Sequence, residues 1–153
     1  MSEILIRPAE RADLPLLKDF EQAIIKTERP FNNCLKADHF CYYDIGALID
    51  SSRSTVMVAE SDGKIIGSGY ARIRDSKAHL VHDQHIYLGF MYVAESVRGQ
   101  GINQLVINAL IAWGQERGFR DFYLEAYAQN APALSAYKKI GFEPSIVELK
   151  LSL

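Results

Sequence analysis

The second half of the chain contains the glycine-rich segment Val97-Arg98-Gly99-Gln100-Gly101-Ile102-Asn103. The preceding residues, 81–93, are rich in β-branched and aromatic side chains and predict a strand. The following residues predict a helix, because apolar side chains recur there at helical spacing: Leu105, Val106, Ala109, Leu110 and Trp113. A helix N-terminus offers unpaired backbone N–H groups and the positive end of the helix dipole, and glycines let an anion approach them. The segment therefore predicts a turn that holds a phosphate or pyrophosphate.

Patterns on both sides of this turn predict an α/β domain spanning residues 1–153, with a mixed sheet and helices on both faces. Ile4 and Ile6 predict the first strand, and Asp13 is a candidate N-cap for the first helix. A second helix is expected over about residues 37–49, although Gly46 weakens it. The dipeptide Asp62-Gly63 predicts a hairpin between two strands.

The C-terminal third predicts a strand, a helix and a last strand. Phe122 and Leu124 indicate the strand, and Gly141 is placed to end the helix. The tail, residues 146–153, alternates apolar with polar side chains and predicts the last strand. Within the long strand ahead of the turn, Gly89 indicates a bulge or a close approach of the backbone.

Composition argues against several classes of protein. Seventeen basic and nineteen acidic residues give a net charge of −2, without the basic cluster that nucleic-acid binding requires. The N-terminus lacks the features of a signal peptide, and no apolar segment approaches the length of a membrane span, so we expect a cytoplasmic protein. Cys34 and Cys41 are expected to be free thiols, and the spacing of His82 and His85 does not favour a metal site.

Two nucleotide-binding motifs compare poorly with the glycine-rich segment. A P-loop is excluded, because its spacing and its Gly-Lys-Ser/Thr ending are both missing. A dinucleotide fingerprint matches at Gly99 and Gly101, with Asp121 at a suitable distance for a ribose, but Gln104 occupies the third glycine position. Its turn would also follow the fourth strand instead of the first.

A third interpretation rests on two motifs in order. Arg98-x-x-Gly101-x-Asn103 resembles the acyl-CoA pyrophosphate loop of the GNAT superfamily of N-acetyltransferases. The segment 130–142, Asn-Ala-Pro-Ala-Leu-Ser-Ala-Tyr-Lys-Lys-Ile-Gly-Phe, resembles the second GNAT signature, Asn-x-x-Ala-x-x-x-Tyr-x-x-x-Gly-Phe. The resemblance covers about residues 54–142 and implies a GNAT-like fold with a central, mostly antiparallel twisted sheet of six to seven strands.

The resemblance also implies acetyl-CoA as cosubstrate and a set of residues that bind it. Backbone groups of Met91, Tyr92 and Val93 would hold the pantetheine arm, and Asn130 would hydrogen-bond the same arm. The pyrophosphate would lie against the turn, made by Arg98, Gly99, Gln100, Gly101, Ile102 and Asn103. Asn103 departs from the small residue of the family; it would crowd the pyrophosphate, cap the helix or contact a phosphate. From the residues alone, Arg98 is equally an exposed loop charge and Asn130 an N-cap.

Tyr137 and Glu125 are the catalytic candidates. By resemblance, Tyr137 is the general acid that protonates the departing CoA thiolate; the structural alternative is a core tyrosine. Glu125 lies twelve residues before Tyr137 and resembles the base of ribosomal-protein N-terminal acetyltransferases. The alternative is a solvent-facing carboxylate. Three other residues compete for the role of base, namely His82, Asp83 and His85.

The function implied is direct transfer of an acetyl group from acetyl-CoA to a primary amine of a small molecule or peptide, without a metal. A non-catalytic acyl-CoA-binding or sensing module and a nicotinamide dinucleotide-binding domain are the alternatives. An acceptor pocket has aromatic candidates, which are equally candidates for the core: Tyr42, Tyr43, Phe90 and Tyr92. Because the tail at residues 146–153 reads as a regular strand, we also expect that it pairs with a second copy in a homodimer.

Overall fold

A computed structural model describes residues 2–153 and contains one five-stranded mixed sheet. The strands lie in chain order, with β1 to β4 antiparallel and β5 parallel to β4. Their bounds are β1 Leu5–Pro8, β2 Ser54–Ser61, β3 Lys64–Asp75, β4 Gln84–Val93 and β5 Phe122–Tyr123. The helices are α1 Leu14–Glu28, α2 Ile45–Asp50, α3 Ile102–Glu116 and α4 Ala131–Ile140. No helix within residues 2–153 is long and apolar enough to cross a membrane.

Helices cover both faces of the sheet, as the sequence predicts. The α3 face buries the side chains of Ile102, Val106, Ile107, Leu110 and Trp113 against β2, β3 and β4. Gly69 permits this close packing, because a Cβ there would lie 2.7 Å from Met91 Sδ and 3.0 Å from the side chains of Leu110 and Val106. On the opposite face, α1 and α2 close a second core around Leu17, Phe20, Ile45, Val58 and Phe90.

The β2–β3 connection is the predicted tight hairpin. Asp62 and Gly63 have φ values of 52° and 73°, which are the two left-handed residues of a type I′ turn. This turn matches the twist of the flanking strands and places residues 64–75 beside β4.

The predicted irregularity at Gly89 is confirmed as both a close approach and a β-bulge. A Cβ on Gly89 would lie 2.6 Å from the ring of Tyr70. Tyr70 pairs with Gly89 and Ser68 pairs with Tyr92, so Phe90 and Met91 together face Gly69 alone. Phe90 adopts a φ of 58°, which is unusual for a bulky residue and stores local strain. The bulge re-aims the end of β4, residues 91–93.

The expected strand count and the C-terminal strand are wrong for the described residues. The sheet has five strands instead of six to seven, and it is mixed. The tail, residues 146–153, forms no strand: Val147, Leu149, Leu151 and Leu153 are 75–113% exposed. A period-two pattern makes a strand only where an edge is available for pairing. Here Lys150 Nζ instead lies 2.7 Å from Asn33 Oδ1 and 3.0 Å from Cys34 Sγ.

Three element details also differ from the sequence expectation. Helix α2 begins at Ile45 instead of near residue 37, because Asp44 accepts from Ala47 N and the preceding backbone is held elsewhere. Leu105 is 41% exposed, and Ile102 occupies the buried stripe in its place. Asp13 does precede α1, but its carboxylate accepts from Glu10 N and pairs with Arg7 instead of capping α1.

Candidate active site

The glycine turn joins the end of β4 to the N-terminus of α3. Gly99 and Gly101 have φ values of 80° and 79°, and a Cβ on either would meet nothing within 4 Å. The open space on that side and the positive φ values both favour glycine. The first helical bond runs from Leu105 N to Gly101 O, which leaves the N–H groups of the first turn of α3 available. The turn therefore has the open backbone geometry that an anion such as a pyrophosphate requires.

Arg98 and Asn103 contribute to this turn in different ways. Arg98 is exposed, and its Nε donates to Val93 O at 3.0 Å, with the guanidinium 5.9 Å from the ring of Tyr92. The Val93 carbonyl is thus occupied by Arg98 instead of being free for a ligand. Asn103 is half-buried and does not cap α3, which has no side-chain cap. Gln100 is exposed, while Ile102 is only 1% exposed and anchors the turn in the core.

The pairing between β4 and β5 ends before β4 reaches the turn. The two strands pair only at Ile86 with Phe122 and at Tyr87 with Tyr123, after which β5 ends. On its other side β4 remains paired with β3 as far as Val93. Met91, Tyr92 and Val93, each half-buried, therefore lie where β4 has a neighbour on one side only. An extended pantetheine arm could pair with this free side of β4.

The structure places Tyr137 and Asn130 on α4. Asn130 is the N-cap, since its Oδ1 accepts from Ala133 N at 3.4 Å, with Pro132 in the first turn. Gly141 ends the helix and lets Phe142 pack against Tyr137, with ring centroids 6.1 Å apart. Burial and then the charge of Glu28 raise the pKa of Tyr137 to about 12. Its hydroxyl makes no hydrogen bond to any group of residues 2–153 and is protonated at neutral pH, as a general acid requires.

Glu125 lies on the surface, in the segment after β5. Its carboxylate is near Tyr87 and raises the pKa of the Tyr87 hydroxyl, although burial is the larger cause. Two guanidinium groups lie over the ring of Tyr87: that of Arg74 is 4.1 Å and that of Arg72 is 5.6 Å from the ring centroid. The Glu125 carboxylate therefore lies near two cationic side chains, those of Arg72 and Arg74. We call this group around Tyr87 the Glu125 corner.

The competing base candidates His82 and His85 are engaged with other side chains. Ser76 Oγ lies 2.6 Å from His82 Nδ1 and 2.8 Å from His85 Nδ1. Arg74 Nε donates to His85 Nε2, and His82 Nε2 lies 2.9 Å from the hydroxyl of Tyr123. Burial lowers the pKa of His85, which is 4% exposed. All four ring nitrogens have partners, so this network favours a structural role.

The third competing candidate, Asp83, lines an open cavity of about 650 Å³ at the start of β4. Asp75, Arg120 and Asp121 also line this cavity. It lies at the opposite end of β4 from the glycine turn, so the structure does not bring Asp83 to the end where the cosubstrate is expected.

The aromatic candidates for the acceptor pocket separate into two groups. Phe90 is 1% exposed and belongs to the core, and Tyr92 packs on Phe20 with centroids 4.3 Å apart. Tyr42 and Tyr43 are half-buried, at a position fixed by α1. The Glu21 carboxylate, itself 1% exposed, accepts from Tyr42 N at 2.7 Å and from Tyr43 N at 2.8 Å. This pair of hydrogen bonds holds the segment before α2 against the site.

Sequence reasoning missed Glu28, the last residue of α1. It is half-buried, and burial raises the pKa of its carboxyl. Its charge in turn contributes to the raised pKa values of Tyr42, Tyr43 and Tyr137. A signal was available, because Leu17, Glu21 and Glu28 lie four and seven residues apart, on one stripe of a helix. Acidic residues on an apolar stripe indicate carboxylates directed inward.

Solved structures with low sequence identity share this fold. A Bacillus halodurans protein is 20% identical, with a TM-score of 0.86 over 97% of this chain and 99% of its own. A predicted acetyltransferase of Clostridium acetobutylicum, crystallised with acetyl-CoA, is 21% identical, with a TM-score of 0.74 over 98% of this chain and 96% of its own.

Sequence comparisons identify the family. Streptothricin acetyltransferase of Streptomyces lavendulae is 28% identical over 93 residues, which cover 61% of this chain and 46% of that protein. The chain spans less than two thirds of the length of the first curated relatives that it matches. The Acetyltransferase (GNAT) family model matches residues 18–142. The turn also follows β4 of a mainly antiparallel sheet, which a dinucleotide-binding domain would not show. The chain belongs to the acetyltransferase (GNAT) family.

Proposed function

We propose that this protein is an acetyl-CoA-dependent N-acetyltransferase that transfers an acetyl group directly to a primary amine of a small molecule or peptide. The observation that carries the proposal is the glycine turn at the N-terminus of α3, directly beside the free side of β4. A helix N-terminus suits the pyrophosphate, and a strand with one open side suits the amide-containing arm. The names of the relatives, which include a streptothricin acetyltransferase, support an amine acceptor.

Several groups of the chain would bind and orient the cosubstrate, which supplies an acetyl group activated as a thioester. The N–H groups of the turn, residues 98–103, would hold the pyrophosphate, with the remaining guanidinium nitrogens of Arg98 adding positive charge. Backbone groups of Met91, Tyr92 and Val93 would pair with the arm, together with the amide N–H of Asn130, whose carbonyl oxygen caps α4. The bulge at Phe90 changes the course of β4 just before these backbone groups.

The transfer moves protons at two atoms, the acceptor nitrogen and the leaving sulfur. An acceptor amine is an ammonium at neutral pH, so its nitrogen must lose a proton to a base before a C–N bond can form. The C–S bond breaks, and the sulfur takes a proton from the Tyr137 hydroxyl, which regains one from solvent. The nitrogen loses its second proton to solvent, so one ammonium and one thioester give one amide, one thiol and one released proton. By its resemblance to the base of ribosomal-protein N-terminal acetyltransferases, Glu125 is one candidate for this base.

A panel of amines tests this proposal. The purified protein is incubated with acetyl-CoA and, separately, with streptothricin, aminoglycosides, linear polyamines and short peptides. Thiol release is measured, and each mixture is analysed by mass spectrometry for the acetylated amine. We expect thiol release that depends on the amine and an N-acetylated product. Thiol release that is slow and independent of every amine would contradict the proposal and favour a non-catalytic acyl-CoA-binding module.

A further inference from the structure

Four separate parts of the chain converge on the end of α1. Glu28 ends the helix, and Phe31 lies in the 3-10 turn that follows. Tyr42 comes from the segment before α2, Tyr127 from the segment after β5, and Tyr137 from α4. We call these five residues the Glu28 pocket. Phe31 and Tyr127 have ring centroids 6.1 Å apart, and the Tyr127 hydroxyl accepts from Asn32 Nδ2 at 2.9 Å.

Glu28 has no cationic partner within the described residues. It forms none of the salt bridges of residues 2–153, which join Arg7 to Asp13 and Glu60, and Arg11 to Asp50. The neighbouring Arg29 is directed elsewhere: its Nη1 donates to Lys36 O at 2.8 Å, and its guanidinium lies 5.5 Å from the ring of Phe40. A half-buried carboxylate without a counter-charge is costly, so the pocket favours a cation.

The Tyr42 hydroxyl gives an independent indication. Its oxygen is buried and, within residues 2–153, has no hydrogen-bond partner. The Glu28 carboxylate is close enough to contribute to the raised pKa of Tyr42, but it does not reach hydrogen-bond geometry. A buried polar group without a partner is destabilising. The pocket therefore contains two acceptor groups, a carboxylate and a phenol oxygen, that a donor-rich guest would satisfy.

A primary ammonium has the complementary chemistry. It carries one positive charge and three N–H donors, and it is attracted to aromatic faces such as those of Phe31, Tyr42 and Tyr127. The charge of Glu28 also contributes, after burial, to the raised pKa of Tyr137, the candidate acid.

The Glu125 corner has the opposite charge environment. Arg72 and Arg74 both lie over the ring of Tyr87, next to the Glu125 carboxylate. Two guanidinium groups repel an incoming ammonium. A row of tyrosine rings separates the two carboxylates, with successive centroid distances of 5.6 Å, 5.3 Å and 6.4 Å: Tyr42, Tyr43, Tyr70 and Tyr87.

We propose that Glu28, and not Glu125, binds the primary ammonium of the acceptor in the Glu28 pocket and takes its proton. The proton moves from the ammonium nitrogen to a carboxylate oxygen of Glu28, which later releases it to solvent. This assignment rests on the proposed function, and it defines the acceptor class as a primary amine that is cationic when it binds. The raised pKa of Glu28 brings the carboxyl closer to the working pH and makes it a better proton acceptor.

The test compares Glu28→Gln with a matched control, Glu116→Gln, whose residue is exposed at the end of α3. Both variants and the wild type are assayed with the best amine of the panel, and spermidine binding is measured by calorimetry at saturating CoA. We expect E28Q to raise KM for the amine and to weaken spermidine binding, each by at least about tenfold, with acetyl-CoA affinity unchanged. E116Q should match the wild type in every assay.

Two further variants separate binding from folding. Tyr42→Phe should raise KM for the amine while raising the melting temperature, because it removes an unsatisfied buried hydroxyl. Glu125→Gln should reduce amine affinity less than E28Q does. If E28Q keeps the wild-type kcat/KM and spermidine affinity, the assignment of Glu28 is wrong. Failure of the wild type to acetylate any amine would instead count against the proposed function, and in that case the spermidine titration alone decides the pocket's preference for cations.

Discussion

Tyr137 illustrates how a residue's surroundings set its chemistry. Burial and the nearby Glu28 charge raise its pKa to about 12, so the hydroxyl keeps its proton throughout the physiological range. The proton is then available to a leaving thiolate, whose conjugate acid has a pKa of about 8.5. Burial in itself would equally suit a core tyrosine; the role of acid is what the resemblance to the GNAT signature at residues 130–142 implies.

Tyr137→Phe should lower kcat with little effect on acetyl-CoA binding. Phe keeps the packing against Phe142 but has no proton to donate, and general acid catalysis contributes about a hundredfold or less to departure of a good leaving group. Steady-state kinetics and a calorimetric acetyl-CoA titration measure the two effects separately. An unchanged kcat would remove Tyr137 from the acid role.

Gly101→Ala should weaken acetyl-CoA binding more than its effect on stability explains. Gly118→Ala is a matched control, because both glycines have a positive φ, 79° and 86°, and open space at the Cβ position. Each substitution forces alanine into the left-handed region at about 1–2 kcal/mol. Only Gly101 lies in the turn that we propose holds the pyrophosphate. Chemical denaturation and calorimetry check both variants; equal loss of acetyl-CoA affinity in the two would contradict the location of the site.

The sequence located single residues well where a local motif surrounds them. The turn at 98–103, the N-cap Asn130 and the stop at Gly141 follow from neighbours a few positions away, and the structure confirms their positions. Glu28 was missed because its importance depends on Tyr42 and Tyr137, which are distant in the chain.

At the level of elements, one ion pair ties the first strand to the start of α1. Arg7 Nη1 lies 2.9 Å from Asp13 Oδ2, and the same carboxylate accepts from Glu10 N at 2.7 Å. The Arg7 hydrogen bond is the main cause that lowers the pKa of Asp13 below 3.8. The pair therefore contributes stability above the ordinary pKa of an aspartate, and that contribution is lost as the pH falls through the lowered value.

Asp13→Asn should reduce the free energy of unfolding by about 1–3 kcal/mol at neutral pH, since it removes a charge-assisted hydrogen bond. The difference between variant and wild type should narrow as the pH falls below about 3.8. Urea denaturation at a series of pH values measures this difference. A difference that does not change between neutral and acid pH would show that the carboxylate's charge is not the cause.

Helices, strands and turns were predictable where a local sequence pattern determined them and where the surface they pack against followed from the same pattern. The Asp62-Gly63 hairpin and the buried stripe of α3 are such cases, apart from Leu105. Helix α2 was expected too early, because Glu21 binds the backbone of Tyr42 and Tyr43 from a different helix. The sequence of residues 37–44 does not show that these tertiary hydrogen bonds compete with helix formation there.

At the level of the whole molecule, the tail at residues 146–153 has an alternating apolar pattern that packing within a single copy of the chain does not explain. Its backbone makes no hydrogen bond to other backbone groups of residues 2–153, and its apolar side chains are exposed. The alternation suggested a strand, but a strand forms only against an edge, and sequence periodicity does not show where that edge is.

The homodimer expected from the sequence stays a prediction, in which the tail at residues 146–153 would pair with a second copy. Replacing Leu149 and Leu151 with Lys should convert a dimer into a monomer, because both side chains lie on the apolar side of the tail. Ser152→Lys adds charge on the other side and should leave the dimer intact. Light scattering at working concentration gives the masses, and a monomeric wild type would contradict the prediction.

The proposed use of acetyl-CoA, bound at the turn of residues 98–103, is tested by a calorimetric titration of the purified protein with acetyl-CoA, run beside NADH. We predict binding of acetyl-CoA at micromolar concentration, loss of that binding in Gly101→Ala, and no heat from NADH. Absence of acetyl-CoA binding to the wild type would contradict this proposal, because the roles assigned to Tyr137 and Glu28 both depend on it.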